Sequence, residues 1–143
     1  MDMLEQLVTS FISTSAFGII FNVPRRTLVQ CGFVGMIGWM LYFSFQKVYL
    51  DPILATLIAS FVVTIISQFF AKIYKTPVIV FSVSGIIPLV PGGLAYDAMR
   101  NVVQNHYDVA VQLAAKAFLL SGAIAIGLVF SEVINVLLRR TRA

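Results

Sequence analysis

Four stretches of this chain run for close to the length of a bilayer crossing without one charged side chain: 28–46, 52–71, 77–96 and, with its flanks, 117–131. A hydrocarbon core of roughly 30 Å takes about 20 apolar residues in a helix, so these stretches leave a water-soluble fold little room. A fifth uncharged run, Leu7 to Phe21, becomes just long enough when Leu4 and Val23 are added, with Asp2 and Glu5 at its outer end. A cleaved secretory signal would instead carry basic residues before the apolar run and small residues at a cleavage site after it. Here acids come before and Asn22-Val23-Pro24-Arg25-Arg26 comes after, so the segment reads as a membrane helix. Composition agrees, since 59% hydrophobic and 11% charged residues lie well outside the range of soluble domains.

The expected fold class is therefore an all-α integral membrane protein. It forms one transmembrane domain over 1–143 with five helices at about 4–23, 28–46, 52–71, 77–96 and 115–138. Short loops rich in Lys and Arg stay cytoplasmic. Arg25, Arg26, Lys72, Lys75, Arg139, Arg140 and Arg142 follow odd-numbered spans, against Lys47, Arg100 and Lys116 on the other side. Seven against three of the ten basic residues places the N-terminus outside and the C-terminus in the cytoplasm. The net charge of +4 thus reports topology, and no continuous basic patch with stacking aromatics points to nucleic acid. The tyrosines sit mostly near span ends, where amphipathic rings prefer the water interface. Cys31 stands alone within span 2, so neither a disulfide framework nor a metal cluster is expected, and no cofactor is called for.

Within the spans, polar and small residues fall at helical steps of four. Ser10, Thr14, Gly18 and Asn22 make one such row, and Thr56, Ser60, Thr64 and Gln68 another. Close helix packing explains both rows; a hydrated path explains the amides Asn22 and Gln68 better, because an amide is costlier to bury in lipid than a hydroxyl. Gly32, Gly35 and Gly38 leave a strip without side chains on span 2, which reads as a close packing surface, as do Ala55 and Ala59 on span 3.

The most informative segment runs from Phe81 to Leu94. It carries Ser82, Ser84, Gly85, Pro88, Pro91, Gly92 and Gly93 within one span. Two prolines each remove a backbone donor and clash with the preceding turn, so an undisturbed helix is excluded. Unpaired backbone at membrane depth must be buried in protein or face a water-filled cavity. A second half-helix starting near Gly92 or Gly93 would offer N–H groups and a positive dipole end to an anion, with Ser82 and Ser84 as hydroxyl contacts. A proline kink without a ligand is the plain alternative. Asp97 and Arg100, three apart, can pair on one helix face and are gate candidates. Glu132, within the last span and followed by Asn135, is a candidate proton carrier, although it lies only about 10 Å along a helix from Arg139. His106, in the connection between spans 4 and 5, reads as a surface residue.

The runs Phe21-Asn22-Val23-Pro24-Arg25-Arg26, Cys31-Gly32-Phe33-Val34-Gly35 with Gly38-Trp39, and Pro88-Leu89-Val90-Pro91-Gly92-Gly93 together resemble the threonine/serine exporter (ThrE) family, in particular its small YjjB-like subunits. That resemblance implies export of threonine and serine or of a dicarboxylate such as succinate. It also implies a larger YjjP-like membrane subunit as partner, a small carboxylate-bearing solute, an inner-membrane location and coupling to protons. Paired inverted halves would place the solute site at mid-membrane on their interface. A homo-oligomer remains open. No His-Glu-x-x-His, Gly-x-Ser-x-Gly or intramembrane aspartate pair supports an enzyme. A non-transporting scaffold subunit and a channel are the competing readings.

Overall fold

A computed structural model describes residues 3–49 and 51–140. Asp2 and Arg142, which entered the charge reading above, lie outside the described residues. The elements in order are α1 (Met3–Ile20), a 3-10 turn (Arg25–Thr27), α2 (Leu28–Lys47), α3 (Pro52–Tyr74), α4 (Val78–Ile86), a second 3-10 turn (Ile87–Leu89), α5 (Gly92–Val103) and α6 (Tyr107–Arg140). Among the described residues there is no strand. Helices α1, α2, α3 and α6 are each long and apolar enough to cross a membrane; the segment 78–103, bent by 50° at its break, makes a fifth crossing if its two halves count as one.

Three boundaries differ from the sequence reading for local physical reasons. Helix α1 stops at Ile20 because Asn22 adopts a left-handed conformation (φ 55°). The Asn22 N–H then donates to the Ile19 carbonyl at 3.0 Å and the Val23 N–H to the Gly18 carbonyl at 2.9 Å. These are the paired bonds of a Schellman motif, which satisfy carbonyls left over at a helix end. The fourth segment runs on as helix to Val103, and α6 starts at Tyr107, so the connection is helical except for a tight turn at Gln104–His106. At 34 residues, α6 is about 51 Å long, some 20 Å more than the hydrocarbon core. Its first turns pair with α5 through small buried residues, Ala98 on one helix and Ala110 and Ala117 on the other.

The core is built by close approach. Helix α2 packs against α1, α3 and α4, and α3 packs against α4 and α6. The expected glycine strip on α2 winds around the helix: Gly32 and Gly35 meet Phe11, Thr14 and Ser15 of α1, whereas Gly38 faces Val63 of α3 and the backbone of Gly85. Ser10, Thr14, Thr56, Ser60 and Thr64 are all buried. Their hydroxyls donate to their own helices: Thr14 to the Ser10 carbonyl (2.8 Å), Thr56 to Pro52 (2.7 Å), Ser60 to Leu57 (2.9 Å) and Thr64 to Ser60 (2.8 Å). Hydroxyls satisfied in this way permit close packing at no cost in unpaired donors. Most of both rows therefore packs helices together, and only their ends bear on cavities: Ser10 and Asn22 in the first row, Thr64 and Gln68 in the second. Helices α3 and α6 run parallel, with Gly127 against Ser60 and Ser131 against Gln68. The ends carrying Arg25, Arg26, Lys72 and Lys75 are accordingly at one end of the bundle, together with the C-terminus of α6. Gln30 at the start of α2 and Tyr74 at the end of α3 are joined there by a 2.7 Å hydrogen bond.

Candidate functional site

Helix α4 is only nine residues long, about 14 Å, and its packing fixes what it can present. Phe81 is fully buried, with its ring 5.8 Å from Phe70 and 6.2 Å from Tyr74. Such tilted aromatic pairs lock α4 to the lower half of α3. A Cβ added at Gly85 would come within 2.6 Å of Val34 Cγ1 and 2.8 Å of Val63 Cγ1, both side chains being fully buried. Ser84 is buried as well and donates to the Val80 carbonyl at 2.9 Å. Gly85 and Ser84 thus hold α4 against the core, and a larger residue at Ser84 would disturb packing before it reported on any ligand.

With that face committed, the opposite face of α4 borders a groove shared with α3 and α6. A cavity of ≈ 420 Å³ is lined there by Thr64, Gln68, Val78, Ile79, Ser82, Val83, Leu128, Glu132 and Asn135. Three residues singled out from the sequence, Gln68, Ser82 and Glu132, come together in it from three helices. The Gln68 amide Nε2 donates to the Ser131 carbonyl at 3.3 Å and to its Oγ at 3.4 Å. Both bonds are at the long end of the useful range, so they hold the amide loosely. Ser131 is almost fully buried and had not been singled out; its place directly before Glu132 and its small size were the signals available. The groove continues through Gln68, Val78 and Asn135 into a second cavity of ≈ 490 Å³ that also meets Ala71, Lys72, Lys75, Thr76 and Pro77 at the basic end of the bundle.

The remaining sequence candidates lie elsewhere. Asn22 is exposed in its turn and borders a separate cavity of ≈ 250 Å³, which Ser84 also touches. Pro88 borders a cavity of ≈ 240 Å³ at the other end, with Gln6, Thr9, Ser10, Ser13 and Trp39. Here the Trp39 indole donates to Gln6 Oε1 at 2.6 Å. Pro91 forms the N-cap of α5, where Gly92 and Gly93 are exposed and a Cβ on either would meet nothing within 4 Å. Neither glycine borders the α3/α4/α6 groove. The helix start that opens on the groove belongs to α4, at Pro77 and Val78. Asp97 and Arg100 are exposed, and among the described residues they form no ion pair. Nor do the described residues contain a cluster of His, Cys, Asp and Glu able to hold a metal ion.

Long apolar helices, one of them broken, with a polar groove between α3, α4 and α6, define a multi-pass helical membrane protein. Residues 6–134 match the family model described as Threonine/Serine exporter, ThrE, and the chain belongs to that family of membrane transporters. It is also similar to an uncharacterized protein of Haemophilus influenzae, 28% identical over 105 residues, which is 73% of this chain but 35% of that relative. The chain thus spans about a third of the length of that curated relative. No solved structure matches it.

Proposed function

We propose that this chain forms the solute pathway of a proton-coupled exporter for small carboxylate-bearing metabolites, threonine and serine or a dicarboxylate such as succinate. In this reading it works beside a larger YjjP-like subunit, with its N-terminus outside and its basic end in the cytoplasm. The observation that carries the proposal is the convergence of Gln68, Ser82, Glu132 and Asn135 on one groove between α3, α4 and α6. Polar side chains brought from three helices to one cavity within a membrane bundle are costly unless they serve a hydrated path or a ligand. The volume falls in the range of small-molecule sites, roughly 300–1,000 Å³.

The loosely bonded Gln68 amide can exchange its Ser131 contacts for a solute carboxylate, and Ser82 can add a hydroxyl donor. Glu132 is the only acid bordering this cavity and is the candidate carrier of the coupled proton. Segment 78–89 touches both the groove and, through Pro88, the cavity at the other end. Asp97 and Arg100, on α5 beyond the break, fit a solvated surface better than a gate. A scaffold role accounts for the closed hydroxyl rows and the glycine contacts but leaves the groove unexplained.

The test is efflux of labelled threonine, serine and succinate from proteoliposomes holding the chain alone, and then with the larger subunit, under an imposed proton gradient. Saturable efflux that requires both chains supports a shared pathway. Efflux from the chain alone points to a homo-oligomeric carrier. No efflux in either preparation returns the scaffold reading.

A further inference from the structure

We infer that the basic end of the groove is an anion-capturing mouth in which Lys72, Lys75 and Thr76 receive the carboxylate of the solute before it moves inward to Gln68. The inference rests on the transport reading for its physiological meaning, though the binding site itself can be tested without transport. Lys72 and Lys75 are exposed on the ≈ 490 Å³ cavity, whose lining contains no acid. Among the described residues neither lysine forms an ion pair. Lysines at the end of α3 complement the negative end of its dipole, which would account for them as helix-end residues alone. Two further features at the same cavity have no such explanation.

The first is the Thr76 hydroxyl, which is shut away from solvent and has no hydrogen-bond partner. A buried donor left unpaired is a cost that native structures usually avoid, and this one belongs to a residue lining the cavity. The second is the start of α4. Its N-cap, Pro77, makes no side-chain capping bond, and Val78 borders the same cavity. The first N–H groups of a helix lack partners within it and carry the positive end of its dipole, an arrangement suited to an anion. The turn that brings these groups together is enforced by Lys75 itself, whose left-handed backbone (φ 51°) reverses the chain from α3 into α4. Two lysines, a threonine whose hydroxyl is unpaired and one helix start therefore line one opening, and a carboxylate with two acceptor oxygens matches that donor set.

The experiment is equilibrium binding of labelled serine and labelled succinate to the purified full chain in detergent, at low and high salt, alongside the efflux assay above. Binding by the native chain should weaken as salt rises, because exposed charges are screened beyond a Debye length of about 10 Å at 0.1 M. Lys72→Gln with Lys75→Gln should weaken low-salt binding about tenfold and flatten the salt dependence, the scale expected for local charge focusing. Thr76→Val should weaken binding while the salt dependence stays, and Lys72→Arg with Lys75→Arg should preserve both properties, which separates loss of charge from loss of fold. Absence of binding by the native chain overturns the inference, as does a glutamine double variant with native affinity and salt response. Binding that follows this pattern without any efflux keeps the mouth and removes the transport reading; efflux with lysine-independent binding does the reverse.

Discussion

Gly127 and Gly122 lie on the same helix, α6, and the same substitution to alanine at the two positions isolates one physical effect. In either case alanine gains helix propensity over glycine, about 1 kcal/mol, so that term cancels in the comparison. At Gly122 the new Cβ meets nothing within 4 Å. At Gly127 it would lie 2.8 Å from the Leu57 carbonyl oxygen and 3.1 Å from the Phe61 nitrogen, with Ser60 Oγ closer still. Ordinary carbon–oxygen contacts begin near 3.3 Å, so α6 must withdraw from α3 by about 0.5 Å and Ser60 must turn away as well. A backbone carbonyl cannot swing aside as a flexible side chain would, and overpacking of this kind costs about 1–3 kcal/mol. Gly127→Ala should therefore be less stable than Gly122→Ala by about 1–3 kcal/mol, read as unfolding in mixed micelles of rising SDS content by circular dichroism. Equal midpoints, or a more stable Gly127→Ala, would refute the close contact between α3 and α6 and with it the shape of the groove they frame.

Three further outcomes follow from the same structure. Gln68→Leu should cut transport at least tenfold while changing stability by no more than about 1 kcal/mol, because the Gln68–Ser131 bonds are long; parallel efflux and unfolding measurements check this. Glu132→Gln should allow solute exchange to continue but make net efflux indifferent to an imposed pH gradient, measured in proteoliposomes with and without that gradient. Asn22 in its left-handed turn predicts that Asn22→Gly is nearly neutral, whereas Asn22→Val loses about 1–2 kcal/mol; comparing the two variants' unfolding midpoints decides it.

Much of the architecture was present in the sequence because it follows from solvent. A run without charge as long as 52–71 has few alternatives to a membrane helix, and Pro88 with Pro91 forbids an unbroken one wherever they occur. Local chemistry also announces itself: Asp51 caps α3 by accepting from the Ile53 N–H at 2.8 Å, and proline follows at the first helical position, where it fits. The end of α1 was less legible, since Asn22 continues the step of four from Gly18 and only its backbone geometry shows that it closes the helix.

The site divided in the same way. Periodicity placed Gln68 and Glu132 on faces of their helices but carried no information on which helices would share a cavity. That depended on close approaches between residues far apart in sequence, Gly85 to Val34 and Val63, and Gly127 to Leu57. Those contacts turn Ser84 into the core and leave Ser82, two residues away, facing the groove. The sequence alone determined a helical membrane protein with a broken fourth segment, because bilayer thickness and proline stereochemistry act locally. Only the tertiary structure decided that the start of α4, rather than Gly92 and Gly93 on α5, opens on the groove beside Lys72 and Lys75, because the direction of a half-helix is set by what it packs against.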